Sequence, residues 1–89
     1  MAIDYRSQSP RILADFLSYH ETIKAHSQRT VDEYFLDLRN FFRYIKQLRD
    51  PALRDTPLDQ IDIMDVDLPL IRSITLSDIY GYMTYLSRD

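Results

Sequence analysis

A chain of 89 residues with 45% hydrophobic side chains can build one small core, and at that size every unburied apolar face weakens it. With no cysteine and a single glycine, a disulfide framework and a thiolate metal site are excluded, and the tight turns of a β-rich fold are disfavoured. The formal net charge of -3 speaks against a uniformly basic polyanion binder, but residues 1–50 hold eight Lys/Arg against seven Asp/Glu, while residues 51–89 hold three against seven.

Asp4 and Arg6 fall where a signal peptide needs an uninterrupted apolar core, and no apolar run approaches the roughly 18 residues of a bilayer span. The expected setting is the cytoplasm, with no membrane partner. The first periodic segment starts at Ser9-Pro10, where Ser suits the cap and Pro the first helical turn. Ile12, Leu13, Phe16, Leu17, His20 and Ile23 then recur at spacings of three and four, predicting an amphipathic helix over about 9–24. A second helix over about 27–49 opens on the cap Ser27 and carries Val31, Tyr34, Phe35, Leu38, Phe41, Phe42, Ile45 and Leu48 as one stripe. It ends at Asp50-Pro51, because the residue before proline avoids helical geometry.

From Pro51 to Ser73 the pattern loosens. Asp59, Asp62, Asp65 and Asp67 alternate with Ile61, Ile63, Val66 and Leu68, but Asp is a poor strand former and no partner strand exists elsewhere. An irregular, ordered acidic connection with one helical turn is expected. A third helix over about 75–87 starts at Thr75 with Asp78 three residues on, a short-chain capping box, and runs through Leu76, Ile79, Tyr82, Met83 and Leu86. Gly81 within it costs about 1 kcal/mol relative to Ala, which points to a close helix-helix approach there. The expected architecture is a single all-α domain over 1–89, a small orthogonal bundle of three main helices.

His20 and His26, six residues apart, are expected on different faces and in structural roles, and no metal site, cofactor site or catalytic residue is foreseen. Acid pairs such as Asp65 and Asp67 suit a solvated loop better than a cation site. Neither a phosphate loop, a nucleophile elbow nor an HExxH spacing is present, so an independent small enzyme finds no constellation to run on. The informative charges lie on the second helix. At about 100° per residue, Arg39, Arg43 and Lys46 share one flank of the apolar stripe, with Glu33 and Asp37 on the other. Its amino end, Ser27, Gln28, Arg29 and Thr30 with Lys24 upstream, offers free amides, hydroxyls and a guanidinium where the helix dipole favours an anion. These eight residues form a candidate phosphate clamp. The same residues also suit a capped helix with ordinary solvated charges.

Residues 27–44 resemble the second helix of the core-binding domain of phage-integrase and Xer-type tyrosine recombinases. The family pattern Ser-x-x-Thr-x-x-x-Tyr-x-x-Asp-Leu-x-x-Phe is met by Ser27, Thr30, Tyr34, Asp37, Leu38 and Phe41. The preceding amphipathic helix is similar to the family's first, and Ile74–Ile79 with Tyr82, Met83 and Leu86 to its third. The resemblance implies a SAM-like bundle forming half of a clamp on double-stranded DNA, with Arg29, Thr30 and the basic edge against the backbone. Such contacts position more than they specify. It also implies that a fourth, often basic helix and the catalytic domain lie outside these 89 residues, and that the parent protein works with other recombinase subunits. None of the seven tyrosines matches the family's nucleophile, and Tyr34 sits on the apolar stripe. Without a fourth helix, apolar faces built from Phe35, Phe42, Tyr82 or Leu86 are expected to lack cover and to promote self-association. The alternative is a helical protein-interaction module that docks a partner through the acidic half and exposed aromatics.

Overall fold

The computed structural model describes residues 4–88, so the outermost positions of the expected 1–89 domain lie outside the described residues. Five α-helices follow in order: α1 (Tyr5–Gln8), α2 (Arg11–Thr22), α3 (Gln28–Arg49), α4 (Leu68–Arg72) and α5 (Leu76–Ser87), with single 3-10 turns at Pro51–Leu53 and Leu58–Gln60. There is no strand among the described residues, which bears out the all-α expectation.

The local signals for the two best-marked helices hold. The Ser27 hydroxyl accepts from the Thr30 amide at the start of α3, and Thr75 and Asp78 form a reciprocal capping box at the start of α5. Ser9 behaves otherwise: it follows the short α1, Pro10 takes the cap position of α2 without a side-chain bond, and the Ser9 hydroxyl is buried without a partner. The start of α2 is therefore set by the fixed backbone angle of Pro10 rather than by a hydroxyl cap. Its α1 neighbour is pinned by Tyr5, which is buried and donates to Glu21 at 2.8 Å.

The core gathers Tyr5, Leu13, Leu17, Val31, Phe35, Phe42, Ile63 and Val66, with Tyr34, Leu38, Phe41, Leu70, Ile71 and Ile74 packed around it. Phe35 and Phe42 are thus covered, contrary to the expectation that they would lack a partner. The connection supplies the cover. Ile61, Ile63 and Val66 turn inward while the intervening aspartates stay in water, an alternation realised without a strand. The connection also holds more regular structure than one helical turn, because Asp50 and Asp67 cap the first 3-10 turn and α4 through the Ala52 and Leu70 amides.

Helix α5 is seated by aromatic rings and one ion pair. Tyr82 lies 5.1 Å from Phe41 and 5.3 Å from Tyr44, between centroids. The Tyr44 hydroxyl occupies the space a Cβ at Gly81 would need, 2.9 Å from it, so glycine there serves the close approach expected of it. Arg49 donates to Asp78 at 2.6 Å and to the Ser73 carbonyl at 2.9 Å. The Arg49 bond first, then the Thr75 amide, lowers the Asp78 carboxyl to about 2. The opposite side of α5 is bare: Leu76, Ile79, Tyr80, Met83 and Leu86 are exposed. The chain presents 6278 Å² of accessible surface, against about 5,500 Å² for a folded monomer of its mass. No described helix is long and apolar enough to cross a membrane.

Candidate functional site

The amino end of α3 projects from the corner where α2 turns back. Its Thr30 amide is capped by Ser27 at 3.2 Å, and the Ser27 hydroxyl donates to Thr30 Oγ1 at 3.0 Å. Val31 bonds the Ser27 carbonyl, leaving the first two amides, of Gln28 and Arg29, pointing out of the helix end. Around them Lys24, Ser27, Gln28 and Arg29 are exposed and Thr30 is half-buried. Gln28 bonds Asp32 at 2.8 Å, and Arg29 pairs with Glu33 at 3.3 Å. Both Arg29 and Glu33 are well exposed, and such pairs are worth about 0 to 1 kcal/mol, so this one holds Arg29 only weakly.

The basic flank of α3 does not form the single solvent-facing edge expected of Arg39, Arg43 and Lys46. Lys46 is turned inward, its side chain 16% exposed, pairing with Asp65 at 2.6 Å and donating to the Asp62 carbonyl. Arg43 donates from Nε to the Ile61 carbonyl at 3.0 Å. Both corrections have one cause. The connection passes extended and buried at Ile61 and Ile63, where its carbonyls have no ladder to join, and the α3 flank provides the donors instead. Burial first, and the charge of Arg39 second, push the Arg43 guanidinium below its ordinary value, with Asp59 partly offsetting them.

Arg39 is held differently. Its guanidinium lies 5.3 Å from the centroid of the Phe35 ring, and its Nε is buried without a hydrogen-bond partner. Among the described residues neither Arg39 nor Arg43 has a carboxylate within ion-pair distance. By helical rotation Arg29, Arg43 and Arg39 fall within an arc of about 80°, with Arg39 and Arg43 half-buried, whereas Thr30 lies about 180° from Arg39. The eight expected residues therefore divide into a helix-end group, a half-buried arginine pair, and Lys46, which is committed to the connection.

The two histidines, expected on separate faces, meet. Residues 23–27 turn the chain with Ala25 at φ 56, and the His26 amide bonds the His20 carbonyl at 3.1 Å. Their rings stack at 5.4 Å with an interplanar angle of 23°, and Tyr34 stands edge-on to both, at 5.6 and 5.8 Å. The signal that could have found this was the short Lys24-Ala25-His26 link, which forces a sharp return. Among the described residues no cluster of three or more His, Cys, Asp or Glu could hold a metal ion.

No family model matches the chain and no solved structure matches it. Over 80 residues, 90% of its length, it is 44% identical to "Tyrosine recombinase XerC" of Caldanaerobacter subterraneus subsp. tengcongensis. The chain spans 23% of the length of that relative. The resemblance carried by Ser27, Thr30, Tyr34, Asp37, Leu38 and Phe41 is thus matched by a likeness along nearly the whole chain to a Xer-type tyrosine recombinase, consistent with the amino-terminal domain of such an enzyme.

Proposed function

We propose that this chain is the DNA-binding amino-terminal domain of a site-specific tyrosine recombinase, acting in the cytoplasm as one half of a clamp around duplex DNA. In this reading it has no catalytic residue of its own; a separate domain of the parent protein breaks and rejoins DNA through a covalent phosphotyrosine. Lys24, Ser27, Gln28, Arg29 and Thr30 receive a phosphate at the amino end of α3, and Arg39 and Arg43 follow the backbone along its flank. Lys46 braces the connection beside them. The observation that carries the reading is the Arg39–Arg43 pair: two guanidinia one turn apart, one with a buried unpartnered Nε, lacking a carboxylate in a chain that has 14 acidic residues.

Fluorescence anisotropy with a labelled duplex at low salt tests it. Arg39→Glu and Arg43→Glu are each expected to weaken binding about tenfold, on every sequence tried, and to flatten the salt dependence by about one phosphate contact each. Glu33→Gln is expected to leave affinity intact, since it only releases Arg29. Equal effects from all three, in variants whose circular dichroism matches the wild type, would sink the reading.

The bare side of α5 favours a second contact. Leu76, Ile79, Tyr80, Met83 and Leu86 form one helical stripe in water, of the kind that recruits a partner. Self-association through this stripe, or docking of another recombinase subunit, follows from it. Sedimentation velocity at increasing concentration is expected to show a dimer that Met83→Glu disperses; a clean monomer throughout would remove this part of the proposal.

A further inference from the structure

The acidic connection does more to the candidate interface than cover the core. Ile61, Ile63 and Val66 are buried while Asp59, Asp62 and Asp65 are exposed, so this run spends its apolar side chains on the core and leaves its carboxylates in water. It is fastened to the flank of α3 that carries the arginine pair. Arg43 Nε donates to the Ile61 carbonyl at 3.0 Å, and Lys46 pairs with Asp65 at 2.6 Å and donates to the Asp62 carbonyl. These ties all lie carboxyl-terminal to Arg39, and they bring the carboxylates alongside Arg43. Lys46 answers Asp65, but among the described residues neither Asp59 nor Asp62 has a cation within ion-pair distance.

We propose that Asp59 and Asp62 form an electrostatic fence beside Arg43, holding down the affinity of that arginine for a phosphate backbone while leaving Arg39 more open to it. The inference rests on the DNA reading above and names residues that oppose binding at the surface the reading assigns.

The connection cannot avoid this arrangement. Its buried carbonyls take their donors from α3, so the segment must run close to Arg43 and Lys46, and the strict alternation then sets every second side chain, an aspartate at 59 separated by Gln60 and Ile61 from the next at 62, on the exposed side. The charge of Asp59 reaches Arg43, where it offsets part of what burial and Arg39 do to the guanidinium. A carboxylate that close to Arg43 also meets any phosphate that Arg43 holds. Two unit charges about 8 Å apart across water change a binding constant by a factor of about two to three. The effect is short-ranged, because the screening length shrinks from about 30 Å at 0.01 M salt to about 10 Å at 0.1 M. Arg39 stands about one helical turn further from the ties, so it feels less of it.

Anisotropy of a labelled duplex with the whole chain tests the fence. Asp59→Asn and Asp62→Asn keep the shape of the side chain, and the second keeps the oxygen that accepts the Met64 amide. At about 0.01 M salt each is expected to bind about two to three times tighter than wild type, and the double variant about sixfold tighter. Most of the gain is expected to be gone at about 0.1 M salt. Asp59→Glu, which keeps the charge, is expected to match wild type. Asp37→Asn removes the same charge from an exposed position about 120° around α3 from Arg43 and is expected to change affinity by less than a third of the Asp59→Asn gain. In an Arg43→Gln background the Asp59→Asn gain is expected to vanish, and in an Arg39→Gln background to persist.

No gain in Asp59→Asn, an equal gain in Asp37→Asn, or a gain that survives Arg43→Gln would overturn the inference while duplex binding by wild type stands. A wild type and a double variant that both fail to bind duplex at low salt overturn the DNA reading and the fence together.

Discussion

Phe35→Ala is expected to lower the free energy of unfolding by about 3–5 kcal/mol, the usual consequence of removing a fully enclosed ring from a core. The side chain is completely buried, in the middle of the cluster that joins α2, α3 and the connection. A domain of this length holds only about 4–13 kcal/mol in total, so the variant should stand near the edge of folding in water. Urea titration followed by circular dichroism at 222 nm checks it, and a loss under about 1 kcal/mol would show that the core closes elsewhere. Because the Arg39 guanidinium rests on this ring, the variant should also lose duplex affinity out of proportion to its remaining folded fraction.

Lys46→Glu is the second large effect, and its mechanism separates stability from binding. The wild-type ammonium is mostly shielded from water and holds both Asp65 and the Asp62 carbonyl. Reversing the charge leaves that carbonyl without a donor and sets two carboxylates against each other. A loss of about 2–4 kcal/mol is expected, below the range for a fully buried pair because Asp65 itself is largely exposed. Lys46→Met, which keeps the stem but not the charge, should lose about half as much. Thermal melts rank the three proteins. If Lys46→Glu melts with wild type and yet binds duplex poorly, Lys46 is a phosphate contact after all, and its role as a brace is refuted.

The two predictions share an origin in the way the acidic connection meets α3. Its apolar residues complete the core while its carbonyls consume the donors of Lys46 and Arg43. Gln47 adds to this by reaching the carbonyls of Leu53 at 3.2 Å and Thr56 at 3.0 Å. Among the described residues Arg39 and Arg43 are left without a carboxylate partner, and the proposed DNA contact falls there for that reason.

How much of this could be read from the chain alone follows the range of the interactions. Helices α3 and α5 were legible because their signals are local: a Ser27 hydroxyl three residues from the amide it caps, a Thr75–Asp78 box, and apolar side chains repeating at the helical period. The recombinase resemblance was legible for the same reason, since its six motif residues lie within a single helix. Other features depended on how distant segments meet. Whether Lys46 faced water or Asp65 was settled by the path of residues 51–73, which no periodicity specifies. The His20–His26 stack needed the left-handed turn at Ala25, and the cover over Phe35 and Phe42 needed Ile63 and Val66 to fold inward. The sequence by itself determined which segments coil and which side of each is apolar, because caps and periodicity act within a few residues. Tertiary structure alone decided which cations remain available to a polyanion, because that depends on which buried carbonyls lack partners once the chain has closed on itself.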